Sequence, residues 1–179
     1  VVTIGSSAFY GCSSLTAVSI PDSVTNIDNS AFYDCSNLSQ VEFGENVTSL
    51  GYSVFYGCKG LTSITLPEKL AVIPSNAFQE CTSLADVTIG ENVTEIKYEA
   101  FRSCTSLTFI EIPDSVKTIG EGAFASSGLQ SISLGSGITT LVSSGNSYGV
   151  FTGCKSLKNI VIPEKVTSIP NATFSGCNS

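Results

Sequence analysis

The stretch VTNIDNSAFYDCSNLSQVEFGEN, residues 24–46, runs directly into VTSLGYSVFYGCKGLTSITLPEK, residues 47–69. Both are 23 residues long, and both place Val-Thr at the start, Phe at the ninth position, Cys at the twelfth and Leu at the fifteenth. Outward from this pair, Phe9, Phe32, Phe55, Phe78, Phe101 and Phe124 follow one another at intervals of 23, then Phe151 after 27 and Phe174 after a further 23. Cys12, Cys35, Cys58, Cys81, Cys104, Cys154 and Cys177 stand three residues after their phenylalanines, and only the sixth of the eight copies has no cysteine there. Self-similarity at such a period is the signature of an array of small stacked units.

Within a unit, L-x-x-V-x-I, as in Leu61-Thr62-Ser63-Ile64-Thr65-Leu66, alternates and is rich in β-branched residues, so it reads as a short strand. Pro21, Pro67, Pro113 and Pro163, or Gly44, Gly90 and Gly135, end it and begin a turn. A second extended piece, V-T-x-I, follows, and A-F-x-x-C has room for one helical or 3₁₀ turn. A unit of this size cannot bury a core alone, so each must lie on the next to take its Leu, Val, Ile, Phe and Cys columns out of water. With neighbouring strands about 4.8 Å apart, the array makes a curved rod roughly 35–40 Å long.

Composition narrows the function. Eight basic and fifteen acidic residues give a net charge of −7, so the positive field that phosphate recognition needs is missing, and nucleic acid is not an expected partner. The mean hydropathy of +0.28 comes from many short apolar segments, none near the roughly 18 residues of a membrane span, so no membrane insertion of this chain is expected. The absence of His removes the usual catalytic base and every imidazole metal ligand. The cysteines lack any C-x-x-C pair, so no metal site is expected. Their parallel side-chain vectors in a stacked column fit disulfide geometry poorly, which predicts buried, reduced thiols acting as small hydrophobes.

The combined Phe, Cys, Leu and Pro/Gly offsets resemble the BspA-like leucine-rich repeats, whose units carry L-x-x-I-x-I-P followed by V-x-x-I-G-x-x-A-F-x-x-C. The resemblance covers nearly the whole chain and implies a right-handed leucine-rich-repeat solenoid of about eight 23-residue repeats. It also implies a cell-surface or secreted protein of a host-associated microbe, and adhesion to a host or cell-surface protein, extracellular matrix included. Residues 1–179 then form a single repeat domain, expected to be a fragment of a longer protein because both ends fall inside a unit without a polar cap.

Candidate contacts lie where the pattern leaves side chains free. Strand residues two and four after each Leu point outward, giving the columns Ala17, Gln40, Ser63, Asp86, Phe109, Ser131, Asn159 and Ser19, Glu42, Thr65, Thr88, Glu111, Ser133, Val161. Phe109 among Asp86, Thr88 and Glu111 is the candidate hot spot, with an ordinary exposed apolar residue as the plain alternative. Tyr10, Tyr33 and Tyr56 form an aromatic strip that suits protein or sugar, or simply stacks on itself. In the seventh copy residues 142–149 replace the usual three and must loop out, placing Tyr148 at a tip as a further candidate. Asp22, Glu45, Glu68, Glu91, Asp114 and Glu164 make a carboxylate row, read as a solvated edge with weak Ca²⁺ binding as the alternative.

Asp86 and Glu111, about 8 Å apart by strand spacing, fall in the range of an inverting glycosidase pair. No pocket encloses them, so an enzyme is not expected. The reading is therefore a noncatalytic adhesion or protein-binding module without cofactor. The alternatives are a structural spacer holding another domain away from the cell, and a carbohydrate-binding or sugar-hydrolysing surface.

Overall fold

The computed structural model describes residues 1–145 and 148–179. They form a parallel β-solenoid whose coils, numbered here one to eight by their phenylalanines, have three sides. One side carries the V-T-x-I strands β1 (Thr3–Ile4), β3 (Asn26–Ile27), β5 (Ser49–Leu50), β7 (Val72–Ile73), β9 (Glu95–Ile96), β10 (Thr118–Ile119) and β12 (Thr140–Leu141). The second carries the L-x-x-V-x-I strands β2 (Ala17–Ser19), β4 (Gln40–Glu42), β6 (Ser63–Thr65), β8 (Asp86–Thr88), β11 (Ser131–Ile132) and β13 (Asn159–Ile160). Pairing is parallel throughout and joins like to like, as in Val18 with Val41 and Ile64 with Val87. The β6 and β8 strands alternate exposed, buried, exposed, which puts the Val/Ile column inside and the two expected columns outside.

The third side differs from the sequence expectation. The A-F-x-x-C segment is neither an α- nor a 3₁₀-helix but a chain of turns, and among the described residues no helix occurs. In coil one, Ala8 N–H donates to Gly5 O at 3.1 Å, Tyr10 N–H to Ser7 O at 3.1 Å and Cys12 N–H to Phe9 O at 3.1 Å. The residues in between donate across coils: Ser7 N–H to Asn29 O at 3.0 Å, Phe9 N–H to Ala31 O at 2.8 Å and Gly11 N–H to Tyr33 O at 2.7 Å. A helix would keep all these bonds within one coil; here every second one ties the coil to its neighbour. Residues flanking the phenylalanines supply the left-handed turns this requires, from Glu99 at φ 51° to Gly176 at φ 75°.

The phenylalanine N–H bond to the next coil recurs at Phe32, Phe55, Phe78, Phe101, Phe124 and Phe151, at 2.7–3.0 Å. Above it the rings stack from Phe9 to Phe174, with centroids 5.0–5.7 Å apart and planes within 10°. From Phe32 to Phe151 they are wholly buried. The thiols add a bond the sequence did not disclose. Cys35, Cys58, Cys81, Cys104, Cys154 and Cys177 each direct Sγ to the carbonyl of the phenylalanine in the preceding coil, at 3.0–3.2 Å. All seven cysteines are free, and Cys12 alone is exposed. In coil six Ser127 occupies the cysteine position, buried, with Oγ 3.3 Å from Cys154 Sγ, so the column changes chemistry without a break.

The strand sides are interrupted. β5 and β7 belong to separate sheets because Pro74 stands where Asp28, Gly51, Lys97 and Gly120 donate their N–H to the preceding coil, and proline has none. On the other side the closing bond is Ile20 N–H to Glu42 O at 2.8 Å, Leu66 N–H to Thr88 O at 3.0 Å and Ile112 N–H to Ser133 O at 2.8 Å. Among the described residues no such bond links Phe43 to coil three or Ile89 to coil five. The closed junctions run from a proline-ended coil to a glycine-ended one: Pro21 to Gly44, Pro67 to Gly90, Pro113 to Gly135. At Gly44 a Cβ would fall 2.6 Å from the backbone of Pro21, and at Gly135 it would fall 2.4 Å from Pro113 O, so close approach there requires glycine. The open junctions run from glycine to proline, although a third such step, Gly135 to Pro163, keeps the pairing of β11 with β13. At the first of them Phe43 replaces the usual Ile or Leu, and its ring meets Phe55 of the next coil edge-on at 6.1 Å.

Two outcomes test this packing. Phe78→Ala should lower unfolding free energy by about 3–5 kcal/mol, whereas the half-exposed Phe109 (50% accessible) truncated to Ala should change it by about 0.5 kcal/mol or less, both read from urea unfolding. Burial pushes the Cys154 thiol from 9.0 up to about 11. A thiol whose folded pKa is raised stabilises the fold fully below its unfolded value and loses that contribution as pH climbs through the folded value. Unfolding midpoints should therefore hold steady up to pH 8 and fall between pH 9 and 11, while at pH 8 a thiol reagent labels Cys12 well before the buried cysteines.

Candidate functional site

The strand side brings one set of expected residues together. Asp86, Thr88, Phe109 and Glu111 line a single groove of about 340 Å³ at the open junction between coils four and five. Asp86 and Thr88 form the outward edge of β8. Coil five offers Phe109 and Glu111 from a segment whose only pairing among the described residues is the bridge of Glu111 with Ser133. Val87, Ile89 and Ile110 make the floor and Pro113 an end wall, and the Phe109 ring stands half out of it. With Glu91 the groove holds three carboxylates, and no Lys or Arg lines it.

A second, larger groove of about 730 Å³ lies at the other open junction, between β4 and β6. Gln40, Glu42, Ser63 and Thr65 belong to the outward columns read from the sequence, but nothing in those columns singled them out as a site. The signals that could have done so are the Pro/Gly alternation and the exceptional Phe43. Glu45 and Glu68 complete the rim, and the one cation there, Lys69, donates through Nζ to Asn46 Oδ1 at 2.8 Å.

The other expected residues lie elsewhere on the coil. Tyr10, Tyr33 and Tyr56 do stack, at 4.8 and 4.5 Å with planes within 3°, but along the turn side and not among the groove residues. Only Tyr10 is exposed. The Tyr56 hydroxyl donates to Glu80 Oε1 at 2.8 Å, and burial together with that bond holds its phenol above the usual range. The strip thus largely covers itself.

Tyr148 departs from the expectation of an exposed tip. Of the expected loop 142–149, Asn146 and Ser147 lie outside the described residues. Tyr148 is half-buried and folded back over Gly122, where a Cβ would come within 2.3 Å of Tyr148 Cε1. Its ring sits 5.7 Å from the Arg102 guanidinium carbon. Arg102 in turn pairs with the buried Glu99 at 3.1 Å. Ser144 donates from backbone and hydroxyl to the Glu121 carboxylate. The ring gains the cation there, while Tyr148 Oη and Arg102 Nε are buried with no hydrogen-bond partner among the described residues.

The carboxylate row has a structural use. Glu45 N–H donates to Asp22 Oδ1 at 2.8 Å and Ser136 N–H to Asp114 Oδ1 at 2.6 Å, so these side chains tie the turn of the following coil. The backbone bond from Ser136 is the main cause holding the Asp114 carboxyl below its ordinary range.

With repeat, coil and groove defined, comparison with known proteins becomes specific. The profile described as the BspA type leucine rich repeat region, with six copies, matches residues 2–129 and 72–179. The chain belongs to the BspA-type leucine-rich-repeat family. No curated protein matches the chain in sequence. A solved leucine-rich-repeat protein of T. pallidum is 34% identical with a TM-score of 0.72, the match covering 80% of this chain and 67% of that one. A leucine rich cell surface protein of Faecalibacterium prausnitzii is 28% identical over 99% of this chain and 68% of its own, with a TM-score of 0.53. A leucine-rich-repeat protein of Bacteroides ovatus is 25% identical over 99% of this chain and 57% of its own, with a TM-score of 0.67. Among the described residues of this BspA-type chain, no helix is long and apolar enough to cross a membrane.

Proposed function

We propose that the chain is a noncatalytic recognition module outside the cell, presenting its strand side to a host or cell-surface protein in adhesion. The observation that carries this reading is the groove at Phe109. An aromatic ring half out of water, set among Asp86, Thr88 and Glu111 on an apolar floor, has the make-up of a protein-binding hot spot: an apolar anchor with a polar rim. Cell-surface placement draws on the F. prausnitzii relative, which carries that description. Asp86 and Glu111 are both exposed and share an open groove with Phe109, so no enclosed pocket excludes water for acid–base work on a sugar.

A spacer is the second reading, favoured by the turn side, whose bonds and stacked rings continue through every coil and resist bending there. One comparison separates the two. A surface variant carrying Phe109→Ser, Glu111→Gln and Tyr10→Ser, and a variant lacking two central coils, are displayed on cells and tested for attachment to host cells and matrix. Recognition requires attachment to fall at least tenfold with the surface variant. Unchanged attachment with the surface variant, combined with a loss on shortening, would replace recognition by the spacer.

A further inference from the structure

The two open junctions are the same feature repeated. Each follows a glycine-ended coil, and they lie two coils apart, between coils two and three and between coils four and five. In each, backbone groups that closed junctions satisfy are left for something else to meet. By register, Phe43 N–H and Thr65 O at the first gap, and Ile89 N–H and Glu111 O at the second, hold the places where Ile20 N–H meets Glu42 O and Leu66 N–H meets Thr88 O, but no such bond joins them among the described residues. Backbone polar groups seek a partner wherever water is displaced from them. The rims are acidic: Glu42, Glu45 and Glu68 at the first groove, Asp86, Glu91 and Glu111 at the second. Lys69, the sole cation of either lining, is turned to Asn46.

An occupant that suits such grooves carries positive charge, several N–H donors for the free carbonyls and carboxylates, and, at the second groove, a flat face to lie on Phe109. A guanidinium meets all three needs; an ammonium offers the charge without the plane. Two coil steps put the grooves about 10 Å apart. Residues three apart on an extended polyproline-type segment repeat on one face at about 9.3 Å. We propose that the two grooves are paired sites for arginine side chains three residues apart on an extended basic segment of a partner protein. This deepens the recognition role proposed above and rests on it.

The test uses the whole chain and a nine-residue peptide in which two arginines three residues apart are set among prolines, titrated by calorimetry at low and physiological salt. The expected result is one-to-one binding at least tenfold tighter than that of the peptide with either arginine changed to glutamine, because linkage makes the second contact intramolecular. Binding should weaken as salt rises. Glu42→Gln and Glu111→Gln, both at exposed positions, should each cost several-fold. The double variant should fall to the level of the double-glutamine peptide, with urea midpoints unchanged. Equal binding of the one-arginine peptides, indifference to Glu42→Gln, or displacement by a neutral chitin oligosaccharide would each overturn the proposal. If the peptide fails while the surface variant still abolishes cell attachment, the arginine assignment falls and recognition stands. If the peptide binds as expected while that variant leaves attachment intact, recognition in adhesion falls and the peptide site stands.

Discussion

One bond recurs from coil one to coil seven: the phenylalanine N–H donating to the carbonyl just before the next phenylalanine. The same phenylalanine's carbonyl accepts from the cysteine N–H of its own coil and, in most coils, from the cysteine thiol of the next. Stacked rings on one side and buried thiols on the other keep water from these bonds. Sulfur is a weak donor, so the thiol contributes mainly by filling a small apolar space while leaving no carbonyl lone pair stranded. Ser127 fills the same place in coil six and keeps contact with the column through Cys154 Sγ at 3.3 Å. Such nearest-neighbour contacts make the stability of a solenoid a sum over units and their interfaces.

Because the turn side is continuous, the strand sides are free to be discontinuous. A sheet that alone held the coils together could not be cut between β4 and β6 without the array parting there. Here the cut only opens a groove, since Phe32 N–H still donates to Val54 O and its ring still stacks on Phe55 across the same junction. Continuity and variation thus fall on different sides of one coil: repeated packing at the turns, exposed variable columns and open junctions at the strands.

The parts legible in the sequence were those repeated eight times. Phe, Cys, Leu and Val columns at fixed offsets announce their own burial, because only stacking removes all of them from water. The alternation around Val18 or Val87 gave the outward columns for the same reason. What escaped was anything set by a difference between copies. The alternation of Pro21, Gly44, Pro67, Gly90, Pro113 and Gly135 is visible in the chain, but spacing does not encode how near one backbone comes to the next, which would put a Cβ 2.6 Å and 2.4 Å from its neighbour at Gly44 and Gly135 but 3.6 Å at Gly90. Tyr148 escaped for another reason. Read locally, its neighbours Ser, Gly and Asn form a loop; the cation that draws the ring inward, Arg102, sits two coils earlier. The groove residues at Phe109 stood out because one aromatic in a column of small polar residues is conspicuous, whereas the larger groove is lined by residues that look like all the others.

Backbone amide exchange, followed residue by residue in the native protein, addresses the division between the two sides most directly. The amides of Phe32, Phe55, Phe78, Phe101 and Phe124 should exchange slowly as one protected ladder, together with Ile20, Leu66 and Ile112. Phe43 and Ile89, in chemically similar surroundings on the strand side, should exchange faster by orders of magnitude. Uniform protection of the strand amides, or rapid exchange at the phenylalanines, would contradict a solenoid held at its turns and open at its strands.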